Sequence, residues 1–472
     1  MGATSQPTYL AFDLGASSGR AVLGRTGPDG RIGLEEVHRF PNGPVEDDGG
    51  LFWDIEGLFA HMLEAMRIVA ASGVRPRAIG VDTWGVDFGL LDASGELLAR
   101  PRCYRDGRNA GISARVVERI GARRLQDRTG SMHQDHASLC QLVAFAEREP
   151  ERLARAARLL FIPDLLRRRL CGDEATDVTF ASTTQMYDVG RRQWAADILE
   201  ELGLPAGILP PVRVGPTVVG GLGEDIRRRT GLADVPVVAG CGHDTGAAFG
   251  ICLPAIGGRA CAADELPPTD DLAVISAGTW SILGVFVDGH LPSGTLPPTQ
   301  FGYEANPDGS LRIVRNLTGG WLIEQCRKVW EARGVDCDYD ALVDGARAAA
   351  GSERASAVVD PEAEDFYNPD DMTAAIADAC RAGGRPAPEA PGEFAQVIFA
   401  SLADSYARSI ELLRERTRRP LGHLYMIGGM SRNAYLNDLT AERAGVRVIV
   451  GPAEATAMGN VAVQVAATGG AG

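Results

Sequence analysis

Short apolar runs that stop at small polar turns punctuate this chain. Tyr9-Leu10-Ala11-Phe12-Asp13-Leu14 reads as a buried strand running into Gly15-Ala16-Ser17-Ser18-Gly19. Arg20-Ala21-Val22-Leu23-Gly24 reads as the returning strand, so the pattern predicts a hairpin with a Gly/Ser tip. Residues Ile55, Leu58, Phe59, Met62, Leu63, Met66 and Val69 recur at helical spacing and predict a helix over 53–71. Ala78 to Gly85 is a further strand leaving a polar loop, and Arg/Ala/Glu-rich helices are predicted over 111–125 and 138–160. Val235 to Gly240 is a strand that enters Cys241-Gly242-His243-Asp244-Thr245-Gly246.

The second half repeats this plan. Leu272 to Ser276 leads into Ala277-Gly278-Thr279-Trp280-Ser281, and Ile282 to Phe286 returns, about 265 residues after the first hairpin. That separation points to a duplicated domain, not a short-period array. A helix over 393–417 precedes the strand Leu424 to Ile427, which meets Gly428-Gly429, and the next helix is expected to start near Ser431 as its N-cap. Strands alternating with helices give the α/β class. The Gly/Ala/Pro-rich stretch 250–268 is the boundary candidate, dividing the chain into domains 1–248 and 249–472.

Composition narrows the chemistry. The 472 residues carry 47 basic and 62 acidic side chains, a net −15, which excludes a general nucleic-acid binder but leaves room for a local basic pocket. Lys328 is the only lysine, and it stands in Arg327-Lys328-Val329 without the glycine of a P-loop. No Val-Ala-Ile-Lys strand of a protein kinase exists either. If ATP is handled, arginine and backbone N–H groups must meet its phosphates. Nine cysteines without a Cys-x-x-Cys pair predict reduced thiols in a cytoplasmic protein. No basic leader precedes an apolar segment and no uninterrupted apolar run approaches membrane-spanning length, so no membrane partner is expected.

Four segments can carry chemistry. Gly15 to Gly19 matches Gly-x-Ser-x-Gly, but a strand follows it where the serine-hydrolase elbow requires a helix. The alternatives are an ordinary tight turn or a phosphate-binding hairpin, with Arg20 supplying positive charge and Asp13 holding a hydrated Mg²⁺. Gly240 to Gly246 has one residue too many for a dinucleotide loop; Asp244 there is either a helix-capping residue or a general base. Asp82-Thr83-Trp84-Gly85-Val86-Asp87 offers carboxylates, a hydroxyl and an aromatic face, as a sugar site or a strand-end turn would. His133-Gln134-Asp135-His136 lacks metal-ligand spacing and reads as a surface loop or a substrate-side contact.

Together these segments resemble the FGGY family of carbohydrate kinases, and within it the branch acting on L-rhamnulose. The resemblance is carried by Asp13 to Arg20, by Ile79 to Phe88 with Tyr104-Arg105-Asp106, by His243-Asp244-Thr245, and by Ser276 to Ser281 with Asn316 and Gly428-Gly429. It implies two RNase-H-like (actin-like ATPase) domains flanking an interdomain catalytic cleft. The implied reaction moves the γ-phosphoryl group of ATP to the 1-hydroxyl of L-rhamnulose, with Mg²⁺ as the metal. It makes Asp244 the catalytic base and Gly85, His243, Asp244 and Thr245 the sugar contacts. It assigns the nucleotide to Ala16, Ser17, Ser18, Gly19, Arg20, Thr279, Asn316, Glu324 and Gly429. Glu324 stands where the family pattern has Gln, and His133 to Cys140 departs from an aromatic-and-Asn segment. A kinase for another ketose or polyol, such as L-fuculose or L-ribulose, is the alternative within enzymes. A non-catalytic nucleotide-dependent sugar-binding protein is the alternative outside them. A monomer or homodimer is expected.

Overall fold

The computed structural model describes residues 6–256, 266–335 and 337–469. Part of the boundary candidate, 257–265, therefore lies outside the described residues. The chain forms two compact units. One takes the sequence up to Leu266, Val287–Ile313 and the stretch from Ala455; the other takes Pro267–Phe286 and Val314–Glu454. The segment 287–313 and the one from 455 thus pack with the first unit.

The first unit is built on β1 (Thr8–Leu14), β2 (Ser18–Thr26), β3 (Ile32–Pro41), β4 (Ile79–Thr83), β5 (Thr217–Gly221) and β6 (Pro236–Ala239). Their order in the sheet is β5-β6-β4-β1-β2-β3. β1 runs antiparallel to β2 and parallel to β4, which in turn runs parallel to β6. β1 is buried along its whole length, which explains its nearly continuous apolar run. Helix α1 (Ile55–Ala71) starts after Asp54, whose carboxylate accepts a hydrogen bond from the Gly57 N–H. Its stripe of Leu58, Phe59, Met62, Leu63 and Met66 shares one core with Leu10, Phe12, Leu23 and Ile79.

Two predicted helices are shorter than their patterns. Residues 111–125 form helices Ile112–Ile120 and Ala122–Thr129, broken at Gly121 in the left-handed region (φ 88°). In 138–160, α2 (Ser138–Arg148) ends before Pro150, which cannot donate the next helical hydrogen bond and opens a separate turn. Arg158–Phe161 is then a strand, antiparallel to Phe88–Leu91. α3 (Asp244–Gly250) follows β6, with His243 at its N-cap position.

The second sheet repeats the first. Its strands are β7 (Leu272–Ala277), β8 (Trp280–Val287), β9 (Gly302–Ala305), β10 (Leu311–Thr318), β11 (His423–Ile427) and β12 (Arg447–Val450). They are ordered β9-β10-β8-β7-β11-β12. β7 is antiparallel to β8 and parallel to β11, and β11 is parallel to β12, as β1 stands to β2, β4 and β6. The duplication read from the two hairpins is therefore a duplication of the sheet. α4 (Trp321–Ala332) follows β10, and α5 (Pro391–Thr417) matches the predicted helix with proline opening its first turn. Beyond β11 a 3-10 turn, Gly429–Arg432, precedes α6 (Ala434–Ala444), and Asn433, not Ser431, caps that helix.

The last helix, α7 (Ala455–Ala467), lies against the first unit's sheet. Gln464 Nε2 donates to the Leu10 carbonyl at 3.1 Å, and Asn460 Nδ2 donates to Asp82 Oδ2 at 2.6 Å. α7 meets α3 at Gly459, where an added Cβ would stand 1.9 Å from the Ala247 carbonyl oxygen. Only glycine permits that approach.

Candidate active site

The register of the first sheet assembles an acidic cluster at one end of three strands. β1–β2 pairing sets Asp13 opposite Arg20, whose Nη2 and Nε donate to Asp13 Oδ2 at 2.6 and 2.9 Å. β1–β4 pairing sets Asp13 beside Asp82. Asp82 is fully buried; Asn460 bonds its Oδ2, while its Oδ1 has no hydrogen-bond partner among the described residues. Burial and then the neighbouring Asp13 charge push the Asp82 carboxyl well above the usual carboxylate range, with Asp244 adding to this and Asn460 and Arg20 opposing it. Two adjacent carboxylates with one unsatisfied oxygen form a hard donor set suited to Mg²⁺. No group of three His, Cys, Asp or Glu able to hold a metal occurs among the described residues, so this set fits a cation that keeps most of its water.

The hairpin tip beside this cluster is closed by the Gly15 N–H on the Ser18 carbonyl at 2.9 Å and braced by Asn42 Nδ2 on the Gly15 carbonyl at 2.7 Å. Ala16 is half-buried, Ser17 and Ser18 are exposed, and Gly19 is buried. The structure thus brings Ala16, Ser17, Ser18, Gly19 and Arg20 together with Asp13.

The segment carrying Asp244 is tied to the end of β4 by the Thr83 N–H on the Gly242 carbonyl at 2.9 Å. Asp177 Oδ2 accepts from the Gly242 N–H at 2.7 Å, and Thr179 Oγ1 accepts from the His243 N–H at 3.3 Å. The Asp244 side chain is 32% exposed. Its Oδ1 accepts from the Thr245 N–H at 2.5 Å and the Thr245 hydroxyl at 3.2 Å, leaving Oδ2 without a hydrogen bond among the described residues. His243 Nε2 lies 3.4 Å from the same Oδ1. Gly85 closes onto this ring: a Cβ there would stand 3.2 Å from His243 Nε2. Gly85, His243, Asp244 and Thr245 therefore form one constellation, with a carboxylate oxygen available at its centre.

The next two residues are structural. Val86 holds φ at 70°, an uncommon value for a β-branched residue, and the Ser138 hydroxyl pins its carbonyl at 2.5 Å. Asp87, read from sequence beside the sugar-site residues, is fully buried. Its carboxylate accepts from Trp53 Nε1, Trp84 Nε1, the Tyr104 N–H and Gln141 Nε2 at 2.5, 2.9, 3.2 and 2.8 Å. Burial still outweighs these donors and raises its pKa to about 6. Asp135, in the His133–His136 loop, anchors that loop through the Gly111 and Ser113 N–H groups.

In the second unit three turns converge. The β7–β8 tip carries Thr279; the Gly320 N–H bonds the Gly278 carbonyl at 2.8 Å and the Trp321 N–H bonds the Thr279 carbonyl at 3.2 Å. Gly428 sits at φ 88°, where a Cβ would meet the Ala277 carbonyl oxygen at 2.6 Å. Gly429 follows with open space around its Cβ position, one residue past the contact of Gly428 with the strand that leads to Thr279. Asn316 lies on β10, half-buried, and its side chain makes no hydrogen bond among the described residues. Glu324 stands in the first turn of α4 with both oxygens 3.1 Å from Arg327 Nη1. Its carboxylate is engaged by that arginine, unlike the side chain of Asn316.

The family model described as the N-terminal domain of the FGGY family of carbohydrate kinases matches residues 8–250, and the C-terminal domain model of the same family matches 273–468. The chain belongs to this family. It is a carbohydrate kinase, a phosphotransferase that uses ATP and an alcohol acceptor. It is similar to a rhamnulokinase of Bacteroides thetaiotaomicron, 36% identical over 98% of this chain and 91% of the relative. A rhamnulokinase of Enterococcus faecalis is 35% identical over 98% and 90%. Among solved structures, the gluconate kinase from Lactobacillus acidophilus superimposes with a TM-score of 0.76 at 16% identity, covering 98% of this chain and 90% of that one. Plasmodium falciparum glycerol kinase with ADP gives 0.73 at 14% identity over 97% and 88%. The FGGY kinase fold, two actin-like or RNase-H-like α/β domains, is thereby established.

Sequence reasoning missed Asp177, Asn460 and the ion pair of Glu304 with Arg312, whose Glu304 carboxylate lies 3.8 Å from His243 Nδ1. Asn460 and Gln464 had a local signal, two amides one turn apart in an otherwise Ala/Val-rich helix. The others had none, because the contacts that matter for the site, Asp177 to Gly242 and Glu304 to His243, join residues distant in sequence.

Proposed function

We propose that this kinase transfers the γ-phosphoryl group of ATP to the 1-hydroxyl of L-rhamnulose, giving L-rhamnulose 1-phosphate and ADP. The observation that carries the reaction is the free Oδ2 of Asp244, half-exposed amid Gly85, His243 and Thr245. Rhamnulokinases of several bacteria at 32–36% identity over nearly the whole chain support the choice of ketose.

In this reading Gly85, His243 and Thr245 orient the ketose and Asp244 removes the proton of the attacking hydroxyl. Thr245 fixes Oδ1, so the basic electron pair is presented by Oδ2. Phosphoryl transfer asks the protein mainly for positioning and for relief of charge on the phosphoryl oxygens. The N–H groups and hydroxyls of Ala16 to Gly19, with Arg20, supply that relief, while Thr279, Asn316 and Gly429 hold the rest of the nucleotide. Glu324 joins them only if Arg327 releases it. Mg²⁺, held by Asp13 and Asp82 through water, would neutralise phosphate charge. The enzyme is assigned to the cytoplasm.

A coupled ADP-release assay over a panel of L-rhamnulose, L-fuculose, L-ribulose, D-xylulose and glycerol tests the assignment. L-Rhamnulose is expected to give the highest kcat/KM and glycerol a poor one. Equal or better turnover of glycerol or D-xylulose would overturn the choice of substrate while leaving the kinase intact.

A further inference from the structure

Behind His243 stands a pair of charges that no sequence signal connects with it. Glu304 on β9 and Arg312 on β10 belong to the 287–313 segment that packs with the first unit. Arg312 is fully buried. Its Nη1 donates to the Ala305 carbonyl and to Asn306 Oδ1, both at 2.8 Å, and its guanidinium stacks 5.1 Å above the Phe249 ring of α3. With those contacts fixed, Nη2 grips Glu304 Oε2 at 2.5 Å. The same Oε2 lies 3.8 Å from Nδ1 of His243. His243 is 6% exposed, and its Nδ1 is buried without a hydrogen-bond partner among the described residues.

A buried ring nitrogen costs free energy unless it is paired, and among the described residues Glu304 is the charged group placed to pair it. A small side-chain rotation closes the gap. A carboxylate accepts but cannot donate, so Glu304 selects the histidine tautomer with hydrogen on Nδ1, whereas Asp244 Oδ1, the carboxylate oxygen 3.4 Å from Nε2, already accepts two hydrogen bonds from Thr245. The other nitrogen, Nε2, then presents a lone pair beside Gly85 and 3.4 Å from Asp244 Oδ1.

We propose that Glu304, anchored by Arg312, is a positioning residue that holds His243 as a hydrogen-bond acceptor toward a hydroxyl of the sugar. This rests on the assignment of His243 to the sugar site. It gives the site a preference for a sugar group that donates a hydrogen bond to His243 Nε2.

The first test needs no substrate. Long-range ¹H–¹⁵N correlation spectra of the intact wild-type protein, with the His243 signals assigned by their loss in His243→Asn, are expected to show the Nδ1–H tautomer. An Nε2–H tautomer overturns the proposal. The second test is kinetic. Glu304→Gln offers an amide donor to Nδ1 and permits the opposite tautomer. It should raise KM for the best ketose about 3–10-fold, the weight of one neutral hydrogen bond, with KM for ATP unchanged. In the His243→Asn background the same substitution should add no further change in ketose KM. An undiminished effect there overturns the proposal, because Glu304 would then act independently of His243. If Glu304→Gln does not fold, the wild-type tautomer still decides. A failure of every ketose would count against the proposed reaction and leave the tautomer result standing.

Discussion

Asp244→Asn separates proton removal from every other task of the site. The amide keeps the volume of the carboxylate, and its oxygen can still accept from the Thr245 N–H and hydroxyl as Oδ1 does at 2.5 and 3.2 Å. That orientation puts the –NH₂ where Oδ2 now stands free, so a donor faces the hydroxyl that must lose its proton. General-base catalysis contributes about 10²–10⁴-fold, or about 2.7–5.4 kcal/mol of barrier. The expected outcome is a kcat lowered by at least about 10², a ketose KM changed by less than about fivefold, and an unchanged ATP KM. Initial rates in the ADP-release assay, on protein whose circular dichroism and thermal midpoint match wild type, supply the measurement. A folded variant keeping more than about a tenth of wild-type kcat would refute the base assignment. A drop only in ketose affinity would make Asp244 a binding group instead.

Three other outcomes follow from the geometry. Asn460→Ala removes the side-chain hydrogen bond to buried Asp82 and should cost about 1–3 kcal/mol, read as a lower thermal midpoint; an unchanged midpoint would contradict the clamp. Gly428→Ala, at φ 88° with a Cβ 2.6 Å from the Ala277 carbonyl, should raise ATP KM by up to about 10²-fold and spare ketose KM; equal effects on both would dissociate this turn from the nucleotide. Asp87 has a folded pKa of about 6 against an ordinary 3.8, so between those values the native state keeps a proton that the unfolded chain loses. Its contribution to stability therefore falls as pH rises from about 4 to about 6, by about 3 kcal/mol, and is flat above. The stability gap between wild type and Asp87→Asn, followed by chemical denaturation, should shrink across that window; a constant gap would show that Asp87 does not titrate there.

Much of the fold was legible because the duplicated hairpins and the long helix at 391–417 carry their own local patterns. The Gly/Ser tip at 15–19 and the His243-Asp244-Thr245 turn were legible for the same reason. The helix predicted over 138–160 failed where Pro150 stopped it and Leu159, Leu160 and Phe161 turned into a buried strand. Asp87 could not be told from a sugar ligand, since the four donors filling it come from residues 53, 84, 104 and 141. Glu304 and Arg312 were invisible because their importance depends on which unit the 287–313 segment packs against.

The place of α7 bears on how the protein is made. Asp82 and the amide that satisfies it are 378 residues apart. At roughly 5–20 residues per second, the ribosome needs about 20–75 s to travel between them. Throughout that interval the emerging first sheet carries a carboxylate destined for burial and lacks the helix that covers it. A chain that stops before Ala455 would never gain Asn460, Gln464 or the Gly459 contact with α3. The acidic cluster and the helix bearing Asp244 are thus completed only once Ala455–Ala467 has been made, so the pocket cannot mature on a polypeptide that stops short of it.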